Sequence, residues 1–250
     1  MKKVLDLMSS RKSARQKSFA LLIDPDGADP SKASSLIRRA EAHSVNYLFI
    51  GGSLVIDNQV DELILRIKDL TDIPVVLFPG SVLQVSPHAD AVFFLSLISG
   101  RNPELLIGHH VLAAPLIKKM GLEVIPTGYM LVDSGKPTTA SYVSHTQPLP
   151  HDKPDIAKCT AMAGEMLGLQ VIYMDGGSGA QHPITPEMVY AVSGGINIPL
   201  IVGGGIRDKS TALQILNAGA DIIVVGNALE HNPTSSLLEE LTDAVAECSM

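Results

Sequence analysis

A closed (β/α)8 barrel is the fold that this sequence predicts, on three observations. Short apolar runs rich in Val, Ile, Leu and Phe recur along the chain, separated by longer stretches with helical periodicity. The runs are continuous rather than alternating, as expected of parallel strands covered on both faces. Eight of them fit within 250 residues, the usual size of one such barrel, which favours closure over an open doubly wound sheet.

The strands are expected at Phe19–Asp24, Tyr47–Gly51, Val75–Phe78, Ala91–Leu95, Leu122–Pro126, Val171–Met174, Leu200–Val202 and Ile222–Val225. Helices are expected near Ser31–His43, Val60–Leu70, Pro103–Met120, Lys153–Leu167, Pro186–Val192, Lys209–Ala218 and Ser235–Cys248. Pro30 and Pro186 sit where a first helical turn tolerates proline. Only about a dozen residues separate the third and fourth strands, at the low end of what a helical crossover requires. Ser81–Val85 can supply a single turn there at most. The segment Thr127–Asp152, rich in Pro, Thr and Ser, reads as a long loop serving as a lid or binding wall. Residues 1–18 read as an N-terminal helix or arm, and the basic cluster Arg11, Lys12, Arg15 and Lys17 as a solvated face that could attract an anionic head group. No linker or repeat divides the chain, so residues 1–250 read as one domain.

Composition limits the partners. Hydrophobic residues make up 46% and charged residues 18%, which excludes a disordered chain. A formal net charge of −7 gives no electrostatic support to a nucleic-acid partner. An anionic ligand must therefore be bound locally. The two cysteines, Cys159 and Cys248, form no metal-ligand spacing and suggest a reducing compartment. The N-terminus lacks the apolar core of a signal peptide, and no apolar run reaches bilayer-spanning length. The expectation is a cytoplasmic protein with at most transient contact with a membrane surface.

The last three strands each run into glycine: Asp175-Gly176-Gly177-Ser178-Gly179, Gly203-Gly204-Gly205-Ile206-Arg207 and Gly226-Asn227. Without Cβ atoms, backbone N–H groups can converge on phosphate oxygens, and Ala228-Leu229-Glu230 is enough for a short extra helix after Gly226. Three such clusters at successive strand ends point to a phosphate site. At the other side of the mouth, the first strand ends in Asp24-Pro25-Asp26-Gly27 and the second in Gly51-Gly52-Ser53. One carboxylate plus a hydroxyl suits Mg²⁺, which keeps waters and takes further oxygens from substrate phosphates. Asp-Pro-Asp-Gly is equally good turn chemistry, so both readings stand. His109 and His110 are adjacent, point about 100° apart on a helix, and read as a solvated position rather than a metal pair. His145, His151 and His182 have no clear partner.

The stretches FALLIDPDG, Gly51-Gly52-Ser53, PTGYMLVDSGKPT, YMDGGSG, VGGGIR and VVGNALE, in that order, resemble the geranylgeranylglyceryl phosphate synthase family, which includes heptaprenylglyceryl phosphate synthases. The likeness covers nearly the whole barrel. It implies a modified barrel without a third helix, and transfer of a long prenyl group from its diphosphate to the 3-hydroxyl of sn-glycerol 1-phosphate. It implies that Asp24 and Ser53 hold Mg²⁺ against the diphosphate. It also implies that Tyr173, Met174, Asp175, Gly176, Gly177, Ser178, Gly179, Gly204, Gly205, Gly226 and Asn227 surround glycerol 1-phosphate, with Asp24 and Asp175 as the catalytic carboxylates. Part of the family carries lysine where this chain has Leu22, and part carries glutamate where it has Asp175. The TGYMLVDSGKPT text resembles the branch that forms higher oligomers, implying a homo-oligomer built on a dimer, with a hexamer in reach.

Prenyl transfer asks for leaving-group neutralisation and acceptor positioning, which fits the absence of a Ser-His or Cys-His arrangement. Two other classes remain open: a phosphosugar isomerase using Asp24 with Asp175, and a non-catalytic phosphate-binding barrel. A prenyl chain must leave the mouth and lie along the barrel side. The uncovered surface between the third and fourth strands, with Val92-Phe93-Phe94-Leu95 and Tyr129–Asp133, is the expected groove.

Overall fold

Eight parallel strands pair in chain order and the eighth closes on the first. The structure, a computed structural model, describes residues 3–26, 30–56, 59–232 and 235–249. Gly27, the last residue of the Asp-Pro-Asp-Gly turn, lies outside them. The strands are β1 (Ser18–Ile23), β2 (Tyr47–Ile50), β3 (Val75–Leu77), β4 (Ala91–Leu97), β5 (Glu123–Leu131), β6 (Val171–Asp175), β7 (Leu200–Gly203) and β8 (Ile222–Val225). The helices are α1 (Val4–Ser13), α2 (Pro30–Ala42), α3 (Val60–Lys68), α4 (His109–Met120), α5 (Thr139–Ser144), α6 (Pro154–Met166), α7 (Pro186–Ser193), α8 (Lys209–Asn217), α9 (Asn227–His231) and α10 (Leu237–Glu247). A π-helical turn, Glu104–Gly108, leads into α4. All eight expected strands and the short helix after Gly226 are present.

Strand alternation divides the core in two. Ala20, Tyr47, Phe49, Val76, Phe93, Tyr173, Ile201 and Val224 fill the barrel interior. Leu21, Leu48, Val75, Met174, Val202 and Ile223 face the helical layer. This is why the runs read as continuous in the sequence: both faces of each strand are buried.

The lower end of the barrel is closed by α1. Val4 and Met8 join the interior cluster, and the Glu123 carboxylate accepts from the N–H groups of Val4 and Leu5 at 2.7 and 2.9 Å. That carboxylate satisfies donors left open at the helix start and complements its dipole. The basic cluster is largely not a solvated face, contrary to the sequence reading. Lys12 pairs with Asp221 at 2.8 Å, Lys17 donates to the Ala220 carbonyl at 2.7 Å, and Arg11 donates to Ser18 Oγ at 2.7 Å. Only Arg15 of the four is exposed. These cations are bound to polar groups at the barrel floor: a carboxylate, a hydroxyl and a carbonyl.

Two departures concern the middle of the chain. No helix lies between β3 and β4, as expected; Asp90 instead braces that junction, accepting from the Val75 N–H at 2.7 Å and pairing with Lys68. The segment 127–152, expected to be a loop and binding wall, is a loop only in part, and Tyr129, Leu131, Ala140, Val143 and Ser144 of it do wall a groove beside the mouth. Strand β5 runs on through Thr127–Leu131, pairing with β4 as far as Leu97↔Tyr129 and with β6 as far as Leu131↔Asp175. Pro126 and Gly128 disguised the strand; a Cβ on Gly128 would stand 2.8 Å from the Cδ1 atoms of Ile98 and Ile172. Helix α5 follows, opened by a capping box between Thr138 and Ser141.

Candidate active site

The carboxyl ends of the strands converge on one mouth, and the residues designated from the sequence lie around it, with Met174 the exception. Asp24 follows β1 and is half-buried; the Asp26 N–H donates to its Oδ1 at 3.0 Å. Burial raises the Asp24 carboxyl above its ordinary value, the Asp26 hydrogen bond opposes this, and the Asp26 charge adds to it. A Cβ at Gly52 would lie 3.0 Å from Asp24 Oδ2, so the Gly52-Ser53 backbone runs against the carboxylate. Asp24 and Ser53 are brought to one corner, as the order of β1 and β2 requires. Among the described residues no group of three or more His, Cys, Asp or Glu could hold a metal by itself.

Two residues that support this corner carried no signal in the sequence. Gln84, 3% exposed, donates to the Gly52 carbonyl at 3.2 Å and accepts from the Gly80 N–H at 3.1 Å. Glu230 of α9 accepts from the Asp24 N–H at 2.9 Å, linking the ends of β1 and β8. Both contacts join segments far apart in the chain, and nothing local marks either residue.

Across the mouth, Asp175 ends β6 and is 9% exposed. Its Oδ2 accepts from the Tyr129 hydroxyl at 2.6 Å and its Oδ1 from the Gly177 N–H at 2.7 Å. Burial raises the Asp175 carboxyl, and these two hydrogen bonds pull it back. Tyr129, Tyr173 and Phe78 form an aromatic floor beneath it. Phe78 stacks on Tyr173 at 4.9 Å, and Tyr129 meets Tyr173 edge-on at 5.7 Å. Burial and the Asp175 charge hold both tyrosines well above their ordinary range, so they are neutral hydroxyls. The partnership of Tyr129 with Asp175 was missed because Tyr129 stood in the supposed loop.

The glycine clusters meet beside Asp175. Gly204 and Gly205 have φ of +84° and +76°, and a Cβ at Gly204 would lie 2.9 Å from Gly176 N. Asn227 donates to Ser178 Oγ at 2.8 Å, joining the loops after β6 and β8. Two corrections follow. Met174 is fully buried between barrel and helices, because the residue between inward-facing Tyr173 and Asp175 must point outward. Gly176 and Gly177 use their N–H groups internally, on the Gly203 carbonyl at 3.0 Å and on Asp175, so they shape the loop rather than offering donors to an anion.

A groove of about 240 Å³ runs from Gly52 and Ser53 down the side of β4. Its lining includes Phe78, Val85, Val92, Leu97, Ala113 and Leu131. It lies over the gap left by the missing helix, as expected. His110 is not solvated as read from the sequence. It is 7% exposed, lines the groove, and packs edge-on against Phe94 at 4.3 Å. The π-helical turn and α4 wall the groove, so adjacent residues His109 and His110 both reach it. His145, His151 and His182 lie outside helices and strands.

Residues 12–249 match the PcrB family. A geranylgeranylglyceryl phosphate synthase of Chitinophaga pinensis is 58% identical over 97% of this chain and 96% of its own length. One from Spirosoma linguale is 51% identical over 97% of each chain. The crystal structure of (S)-3-O-geranylgeranylglyceryl phosphate synthase from Thermoplasma acidophilum, in complex with its substrate sn-glycerol-1-phosphate, is similar at a TM-score of 0.92. It shares 35% identity over 99% of this chain and all of that one.

The balance at Asp175 is open to measurement. Replacing Tyr129→Phe removes the hydrogen bond that lowers the Asp175 carboxyl, so its pKa is expected to rise further. Carboxyl ¹³C NMR titration of the variant against the parent checks this; an unchanged or lower value would disprove the assigned balance.

Proposed function

The chain belongs to the PcrB family, and we propose that it transfers a long prenyl group from its diphosphate to the 3-hydroxyl of sn-glycerol 1-phosphate, releasing diphosphate. The observation that carries this reading is the meeting, at one barrel mouth, of a glycine-rich anion site, an Asp24–Ser53 corner and an apolar side groove. A phosphosugar isomerase or a simple phosphate-binding barrel needs no such groove.

The donor set at the Asp24 corner fits Mg²⁺: one carboxylate, the Ser53 hydroxyl and room for substrate oxygens. A raised carboxyl is also what a cation would reverse. When bound there, Mg²⁺ supplies charge neutralisation for the departing diphosphate. The chain's own residues do the rest. Gly204, Gly205, Ser178 and Asn227 bound the acceptor phosphate. Asp175 lies beside them to orient the acceptor hydroxyl or take its proton. Phe78, Tyr129 and Tyr173 exclude water from below, where allylic carbocation character develops.

No helix among the described residues is long and apolar enough to cross a membrane. A cytoplasmic setting belongs to this reading, supported by two cysteines that are both free. So does a homo-oligomer, with a dimer as its unit and a hexamer in reach. Ile107, Val111, Leu112 and Leu116 lie exposed along one face of the π-turn and α4, an apolar surface of the kind that subunits cover.

A mass-spectrometric assay with sn-glycerol 1-phosphate, Mg²⁺ and a ladder of prenyl diphosphates tests the reaction. The expected outcome is one prenylglyceryl phosphate series, reduced by about 100-fold or more in Asp24→Asn with an unchanged circular dichroism spectrum. Near-normal turnover in that variant would remove Asp24 from the metal role. In the same assay Ala113→Phe, which fills the groove, is expected to shift preference to shorter chains; an unchanged length distribution would locate the chain elsewhere. Light scattering at micromolar concentration is expected to give a multiple of the 26.5 kDa subunit mass, and a monomer mass would refute the assembly.

A further inference from the structure

A phosphate dianion in a protein of net charge −7 calls for a local cation, and the arginine of the glycine loops, Arg207, is turned to the Ala180 carbonyl, to which it donates at 2.6 Å. The first strand does not supply one. Leu22 abuts the phosphate side, its Cβ 3.3 Å from where a Cβ on Gly226 would stand. The segment 133–138, between β5 and α5, does reach the site. The Ser134 carbonyl accepts from the N–H groups of Gln181 and His182 at 3.1 and 3.2 Å, binding this segment across the loop that follows β6. Gly135 takes φ +92° and passes so close that a Cβ would lie 2.9 Å from Gln181 Oε1 and His182 Cδ2. Thr138 packs over Gly177, 2.7 Å from the Cβ position there. Between these anchors stands Lys136, followed by Pro137, which restricts it to extended backbone. A Cβ on Gly179 would lie 3.5 Å from Lys136 Nζ. The ammonium thus hangs over Gly179, the residue next to Ser178, and it has no hydrogen bond or ion pair among the described residues.

We propose that Lys136 is a specificity-determining residue that binds the phosphomonoester of the acceptor, completing from above an anion site whose floor is glycine backbone. The proposal rests on the acceptor reading given above. Both ends of the segment are tied to the phosphate loop, so the lysine is held near its ligand at little ordering cost, apart from its own rotamers. Its ammonium is a point charge with three donors, suited to a phosphate that also takes backbone hydrogen bonds. Because the side chain is exposed, screening limits the effect.

The test uses the full chain and the variants Lys136→Gln and Lys136→Arg. Steady-state kinetics with each substrate varied should show the KM for sn-glycerol 1-phosphate rising about tenfold in Lys136→Gln, with the prenyl diphosphate KM changed by less than about twofold. Lys136→Arg should recover most of the loss. Raising ionic strength should weaken acceptor binding less in Lys136→Gln than in the parent. Calorimetric titration with sn-glycerol 1-phosphate, and separately with inorganic phosphate, should show the same order of affinities. An acceptor KM and salt dependence unchanged in Lys136→Gln, an arginine variant that behaves like glutamine, or an equal loss for both substrates would each overturn the role. If the parent transfers no prenyl group, the reaction reading fails, while calorimetry with the two phosphates still decides for or against Lys136.

Discussion

Where β2 and β3 leave the barrel, two pieces of backbone touch. A Cβ on Gly51 would stand 1.9 Å from the Phe78 carbonyl oxygen, and one on Gly80 would stand 2.4 Å from that of Gly52. No helix lies between β3 and β4, and Gln84, from the segment that follows β3, bridges the two turns. The rest of the mouth depends on that approach. It draws Gly52 and Ser53 against Asp24, and it leaves the flank of β4 bare so that a groove can start at Ser53. Any side chain at Gly51 would push the turns apart and disturb both features at once.

The opposite side of the mouth depends on a different balance. Asp175 is buried, which disfavours its charge, yet Tyr129 and the Gly177 N–H each donate to it. Its carboxylate therefore lies fixed in orientation and raised in basicity, which suits the proposed role of orienting the acceptor hydroxyl or taking its proton. The same hydrogen bond from Gly177 sets the path of the loop that carries Ser178 and Gly179. In the proposed reaction, acceptor chemistry and anion binding would thus be tied to one carboxylate. Glu230 adds a second tie, from the helix after β8 to the backbone of Asp24, so the two corners are braced to each other.

Much of the fold was legible because burial on both faces of a strand writes itself as an uninterrupted apolar run. All eight strands were found, with ends displaced by a few residues at most except in β5. That strand was hidden by Pro126 and Gly128, residues that ordinarily argue against a strand, although both are paired with β4 here. The glycine clusters and the Asp24–Ser53 corner were legible because strand order alone brings strand ends together. Met174 was misjudged by treating a motif as a block, when alternation separates it from Tyr173 and Asp175. His110 was misjudged because its burial depends on a groove that no local pattern encodes.

The sequence by itself determined the barrel, its missing helix, its glycine-rich side and its Asp24–Ser53 corner, since these follow from periodicity, chain length between strands and glycine's freedom of φ. Only the tertiary structure decided which backbone N–H groups are already used, that Tyr129 holds Asp175, that Glu230 and Gln84 brace the Asp24–Ser53 corner, that the basic N-terminal cluster binds the barrel floor, and that Lys136 overhangs Gly179. Each of those joins residues from separate elements. Such contacts are fixed by how the strands close and how the loops fold back over them, so they leave no period or spacing in the chain to read.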